Sequence, residues 1–393
     1  LVNMIKILKW FAPTLLIIFI KTIGLSQTPL ATLANSMQPG TWAQLNTVNI
    51  QAVLGVGGNS GNILSYSFTG SWDPVAKKIH FEGQYHNAPT GKVWATYDDA
   101  TNTWSSTSTS LGGIPDNHNH SYDDMTIDPT GKYLYMLMGG NLVDQYSLAT
   151  NGPWTAITPF PNQGYLNLNK GTAFFDGVGF VVYNCGSGTG EILIRDLSGN
   201  WSKRIANFGM DGGIQCFAEE SRGHNAVVFG GASLSMRKLW RLDSDFTVHA
   251  LTDSPVDLGI QQGNVSADPI SGDLFVWGFG QFWKLNPTGS GTWTQLSGFP
   301  APGIIGNPAT PQQASIFSTS ISTYGVIAYT TCYIDQCNVW LYKPGPPPQQ
   351  PPPIDPPVPP QPPSGTITTI FGTTAPTVAS PDSSIEVGVR FRS

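Results

Sequence analysis

Three of the six histidines fall in two short segments that hold the residue types from which a ligand or metal site is built. The segment GGIPDNHNHSYDD contains His118, His120, Tyr122, Asp123 and Asp124; the segment QYHNAPTGK contains Tyr85 and His86. Histidine is the commonest transition-metal ligand, and His-x-His beside carboxylates has the donors for one. The same side chains can instead hydrogen-bond within a loop and position Tyr122 and the strand that follows. No spacing here is diagnostic, so neither a metal nor any other cofactor is assigned. A second set recurs along the chain at the starts of short apolar runs: Asn62, Asp123, Asn169, Gln215, Asn264 and Gln313. Amide-rich positions with Tyr85, Tyr122 and Tyr165 nearby suit sugars, which want directional hydrogen bonds and a flat ring to stack on.

Other chemistry is weaker. Asp98-Asp99 and Asp123-Asp124 are adjacent in strand or turn, which sends their side chains to opposite sides. Glu219-Glu220 precede a turn at Arg222-Gly223 and read as a solvated tip. No hydrolytic pair is assembled. The remaining histidines fall apart from the cluster, with His80 in a second strand, His224 in a turn on the opposite face and His249 in a last strand. Four cysteines complete the inventory. Cys332 and Cys337 flank YIDQ at a hairpin tip, where a disulfide is sterically reasonable. Cys185 and Cys216 can meet across a junction between repeats, and an even count in an exported chain favours pairing.

The elements that must hold these residues are short strands. SYDDMTIDPTGKYLYMLMGGNLVDQYSLATNGPW contains four β-type runs separated by Gly, Pro, Asn and Asp, an antiparallel meander that cannot bury both faces alone. Its copies are marked by Trp104, Trp154, Trp201, Val248 and Trp293, spaced 50, 47, 47 and 45 residues apart, the period of a four-stranded propeller blade. A second mark, DPVAKKIHF, DPTGKYLYM and DPISGDLFV, fixes the turn between first and second strands, because proline presets φ and aspartate bonds back to nearby amides. The sixth repeat, 313–343, has three strands, and TWAQL at Thr41–Leu45 supplies the missing one. The expectation is an all-β chain: a six-bladed β-propeller over 41–343, closed by an N-terminal strand. In that topology the His118–Tyr122 loop and the Tyr85-His86 tip share one face, where the polar set rings the mouth of the central channel. The tryptophans occupy one repeat position, which predicts packing between blades and a loss of about 3–5 kcal/mol on truncation of each.

Residues 1–27 read as an export signal: Lys6 and Lys9 precede an apolar stretch at 10–20, with Gly24-Leu25-Ser26 at the cleavage positions. Eleven apolar residues ended by Lys21 are too short for a comfortable membrane span. Residues 28–40 read as a loose polar leader. The segment 344–363 holds thirteen prolines, a stiff polyproline spacer, and 364–393 reads as the truncated start of another β-domain, with further β-domains expected after it. Charged residues are only 11%, against about 25% in typical domains. With a net charge of −6 and no basic cluster past the N-terminus, nucleic acid is excluded as a natural partner.

The double glycines Gly139-Gly140 and Gly230-Gly231, each followed by an aromatic–turn–Trp run or its equivalent, give 41–343 a resemblance to the kelch and galactose-oxidase-like propellers. That resemblance implies either a binding platform or a copper oxidoreductase using two histidines, an axial tyrosine and a tyrosine cross-linked to cysteine. His118, His120 and Tyr122 are the residues to nominate for copper, but no cysteine lies on the loops of the first two blades. TIFGTTAPTVASPDSSIEVGVRFRS resembles the opening of an uncharacterised β-sandwich domain found at the C-termini of large secreted bacterial proteins. The chain therefore reads as a secreted or cell-surface modular protein, its propeller a non-catalytic recognition module for a glycan or an extracellular protein. The alternatives are the copper oxidoreductase and a purely structural surface scaffold.

Overall fold

The computed structural model describes residues 27–55, 57–58, 61–64, 70–84, 92–107, 123–137, 143–150, 152–157, 170–185, 190–206, 208, 216–232, 236–258, 263–278, 280–297, 316–333 and 336–345. They belong to the first of two compact units, Leu1–Pro348. The segment read as an export signal, up to residue 26, nearly all of the proline-rich segment and the C-terminal tail lie outside the described residues. No helix among the described residues is long and apolar enough to cross a membrane.

Six four-stranded antiparallel sheets form the blades of a β-propeller. Five are consecutive meanders; the first, for example, runs Ser71–Asp73, Lys78–Gln84, Lys92–Asp98 and Thr103–Thr107. Blade 6 takes its inner three strands from Ile316–Ile321, Val326–Tyr333 and Gln336–Lys343, and its outer strand from Thr41–Leu45. The register runs from Thr41 opposite Lys343 to Leu45 opposite Val339. The ring is thus closed by pairing the two ends of the propeller segment. A two-residue hairpin, Gly57–Gly58 with Gly61–Asn62, precedes blade 1.

Strand alternation explains the core. Successive residues of a strand face opposite sides of their sheet, so each blade offers one apolar row to each neighbour. The described core is accordingly six clusters, one at each seam between blades. Phe174 thus packs toward blade 2 with Tyr135, while Phe175 packs toward blade 4 with Val227. The repeated tryptophan position belongs to these seams. Trp104, Trp154, Trp201, Val248 and Trp293 each stand opposite the penultimate residue of the third strand. Trp42 holds the same position in blade 6, opposite Tyr342, and packs on Phe282 of blade 5 at 5.1 Å. Only Trp104 is fully buried, however; Trp154, Trp201 and Trp293 sit at the outer rim and keep part of their rings exposed.

The turns behave as their residues dictate. Asp73 Oδ1 accepts from the Val75 and Ala76 amides at 2.8 and 3.0 Å, Asp128 Oδ1 from Thr130 at 2.8 Å, and Asp268 Oδ1 from Ile270 at 2.9 Å. Both cysteine pairs are disulfides. Cys332–Cys337 clips the blade 6 hairpin (Cα–Cα 4.0 Å), and Cys185–Cys216 joins blade 3 to blade 4 (Cα–Cα 6.4 Å).

One expectation is corrected. The leader is not loose: Pro29–Ser36 forms a helix, with Thr28 as N-cap accepting from Ala31 N–H and proline in its first turn. Leu30, Leu33 and Ala34, spaced i, i+3, i+4, lay an apolar stripe over the seam of blades 6 and 1. Lys343 Nζ donates to the Ala34 carbonyl at 3.0 Å and fastens the helix to the closing strand pair.

The seam between blades 1 and 2 contains a testable anomaly. His80 is 6% exposed, lies 5.6 Å from the Trp94 ring, and has no hydrogen-bond partner on either ring nitrogen. Burial, then the charge of Lys78, holds its pKa down to about 4. An unfolded histidine binds its proton near pH 6.5, so between about pH 6.5 and 4 the unfolded chain takes up a proton that the folded chain refuses. Stability therefore falls as pH drops through that window, by about 2–3 kcal/mol at its lower end. Urea unfolding at pH 7 and pH 4.5 should show this loss in the wild type and a smaller one in His80→Phe. Equal losses in both proteins would rule His80 out as the source.

Candidate functional site

The inner strands surround a central channel, each touching the next around the ring. Their seams are stitched by hydrogen bonds near the axis. Gly70 N–H donates to the Ser318 carbonyl at 2.8 Å, Ser318 Oγ to Val265 O at 3.3 Å, and Ser320 Oγ to Ala267 O at 2.5 Å. On the other side Thr172 Oγ1 donates to the Asp123 carbonyl at 2.9 Å. The Asp123 carboxylate reaches further, accepting from the Ala218 amide of blade 4 at 2.7 Å. Blade 3 lets it pass because residue 171 is glycine: a methyl group there would run into the Phe217 carbonyl carbon and the Ala218 nitrogen. Asp123, Gly171 and Ala218 so draw three blades together at one end of the channel.

Along the axis lies a cavity of about 150 Å3, lined by all six blades and reaching the Asp-Pro turns through Pro74, Pro129 and Pro269. That is room for on the order of ten waters, and less than the roughly 300 Å3 at which small-ligand pockets begin. Its lining is mainly hydroxyls and small side chains: Ser71, Thr126, Thr172, Ser318, Ser320 and Ser322. Glu219 and Glu220 also line it, which corrects their reading as a solvated tip. They stand in the inner strand Phe217–Ser221 of blade 4, and both are half-buried. Burial, then the charge of Asp123, pushes the Glu219 carboxyl well above the usual carboxylate range, against a hydrogen bond from the Ala267 amide. Glu220 is raised by burial, opposed first by the charge of Arg222; it accepts from Asp176 N–H at 2.7 Å and from Arg222 at 2.9 Å. Beside these hydroxyls Glu219 therefore holds its proton more readily than a surface glutamate does.

The sequence-derived site is only partly in view. Tyr85, His86, His118, His120, Tyr122, Asn169, Gln215 and Gln313 lie outside the described residues, as do the side-chain surroundings of Asn62. Asp123 and Asn264 are described, and each is 1% exposed. Asp123 is committed to Thr172 and Ala218, and Asn264 Oδ1 accepts from Ser266 at 3.5 Å, so both act inside the ring of inner strands. His224 and His249 stand where expected: His224 in the turn Arg222–His224, 2.9 Å from Asp273, and His249 in the outer strand Val248–Ala250. Glu219 was legible by alignment, since GSWDP, MTIDP, VSADP and AEESR set it level with Ser71, Thr126 and Ser266.

No protein-family model matches the chain, and no curated protein sequence matches it significantly. Among solved structures it is similar to a fungal alcohol oxidase of the AA5 family in complex with copper, at 10% identity over 78% of this chain and 77% of that one, TM-score 0.47. It is also similar to a streptogramin B lyase, at 12% identity over 70% and 93%, TM-score 0.45. A third is an oligogalacturonate lyase in complex with manganese, at 11% identity over 78% and 98%, TM-score 0.41. At such values the likenesses carry nothing about activity. The copper chemistry implied by the family resemblance needs a tyrosine–cysteine cross-link, and all four cysteines of this chain are spent in disulfides. The residues do not fit that centre, and no step is derived through it.

Proposed function

We propose that the propeller is an extracellular, non-catalytic recognition module that holds a glycan or the surface of an extracellular protein on the face opposite its Asp-Pro turns. The observation that carries this is the placement of the strand ends. Each outer strand ends, and each next inner strand begins, on that face, so every connection between blades emerges there. The sequence assigns the His118–Tyr122 connection and the blade 1 tip with Tyr85 and His86 to that face. At that end of the inner strands Asp123, Gly171 and Ala218 bind blades 2, 3 and 4 together, which gives the loops a firm base. Loops on a rigid scaffold are where recognition usually sits, and strand closure with two disulfides makes this scaffold rigid. Paired cysteines and the signal-like N-terminus support export to an oxidising compartment.

Screening the purified protein on a glycan array, beside elemental analysis and an alcohol-oxidase assay, tests the reading. Glycan retention without stoichiometric metal is the expected result. His118→Ala/Tyr122→Ala should abolish it while the melting temperature moves by no more than about two degrees, as for exposed loop positions. Bound copper with oxidase activity would overturn it.

A further inference from the structure

A larger cavity, of about 340 Å3, opens on the Asp-Pro face at the seam between blades 2 and 3. Its size is that of a small-ligand pocket, and its lining brings a few polar groups together beside apolar surface. Tyr133 is partly exposed at its surface, in front of the buried seam residues Tyr135, Phe174 and Phe180, with Tyr135 stacked on Phe180 at 5.0 Å. Arg195 enters from the third strand of blade 3 and is out of place in the repeat. Its position, opposite Trp201, is filled in the other five blades by Tyr97, Tyr146, Leu242, Leu285 and Tyr342, all apolar or aromatic. Among these pairings only that of blade 3 shifts register, between Ile194 and Arg195. Such irregularities re-aim a side chain and concentrate next to sites.

The guanidinium is underused. It bonds the Tyr135 hydroxyl, no carboxylate among the described residues lies within ion-pair reach, and its Nε–H is buried without an acceptor. A cation introduced merely to hold two blades together would have been given an acid. The remaining charges define what it can take. Lys132 sits over the Tyr133 ring at 4.9 Å, while Asp128, Asp176 and Asp196 share the lining. Asp128 and Asp196 accept from their own turns, at Thr130 and Asn200, and Asp176 is largely exposed with Arg222 at 3.9 Å. With Arg222 counted against Asp176, cations and carboxylates balance and leave no net charge to hold an anion. A neutral hydroxylated ring meets all three features. Its hydroxyls accept from Arg195 and donate to Asp176, and its apolar face lies against the exposed parts of Tyr133 and Leu197.

We propose that this seam pocket is a saccharide site for a neutral sugar of one or two rings, separate from the loop-bearing face and on the opposite side of the disc. The test is calorimetric titration of the full chain with maltose, cellobiose and lactose, with glucuronate and inorganic phosphate as charged controls. At least one neutral disaccharide should bind. Arg195→Leu, which restores the residue used in blades 4 and 5, should weaken binding at least tenfold with the melting temperature retained. Leu197→Trp, at a rim position that is 64% exposed, should block entry without touching the core, and it serves should Arg195→Leu fail to fold. His118→Ala/Tyr122→Ala should leave this binding unchanged. Failure of all three sugars, full affinity in Leu197→Trp, or stronger binding of glucuronate or phosphate would each overturn the site. Sugar binding that is lost only with the loop variant would overturn it too, while keeping the recognition module.

Discussion

A chain lacking residues 28–47 should not form a closed propeller. The deletion removes the outer strand of blade 6, exposing the edge of Gln336–Lys343, and with it the helix Pro29–Ser36 over the adjoining seam. Leu30 and Leu45 are buried, and Trp42 packs on Phe282, Tyr329 and Tyr342. Losing a buried leucine costs about 2–5 kcal/mol and a packed tryptophan about 3–5. The sum is on the order of 10 kcal/mol, the scale of a whole domain's stability. A bare edge and an opened apolar seam also invite association with a second copy. Size-exclusion chromatography should find the truncated chain aggregated or expanded, and thermal unfolding should lose its cooperative transition. A monomer with the wild-type melting temperature would show that the ring holds without its clasp. Leu30→Ala alone, expected to cost about 2–5 kcal/mol, separates the helix from the strand.

Trp104→Ala should be the most damaging single tryptophan change. The side chain is 1% exposed, its ring lies 5.5 Å from Tyr97 within blade 1, and it meets Phe317 of blade 6 edge-on at 6.3 Å. Its backbone is held as well, donating to the Val48 carbonyl at 3.0 Å. Truncation opens a cavity in the seam that the terminal strand must close, so the expected cost is the full 3–5 kcal/mol. Trp154, Trp201 and Trp293 keep part of their rings at the rim and should cost less, in contrast to the equal losses that their shared repeat position implies. Urea midpoints for the four variants decide the matter. If Trp104→Ala unfolds no earlier than Trp293→Ala, burial at the seam is not what sets the cost.

Much of this architecture is written locally. Trp104, Trp154, Trp201 and Trp293 at one repeat position, the Asp-Pro turns at Asp73, Asp128 and Asp268, and TWAQL displaced to the front are short-range patterns. Alternation and turn chemistry are enough to make six meanders of them, and a meander with two apolar faces has no stable form except beside copies of itself. The cysteine pairings followed once the strands were placed, because a hairpin tip and a blade junction each bring two residues within disulfide reach. Other features needed the closed ring. PLATLANS carries its apolar residues at helical spacing, yet eight residues form no lasting helix in water, and only the seam of blades 6 and 1 gives that stripe something to cover. Glu219 and Asp123 look like surface carboxylates until blades that are distant in sequence bring Ala267 and Ala218 to them. The chain alone determined how each blade is made. Which polar groups the axis buries, and where Arg195 is left without an acid among the described residues, was decided by six sheets meeting, since burial and partner choice belong to contacts between blades rather than to any one of them.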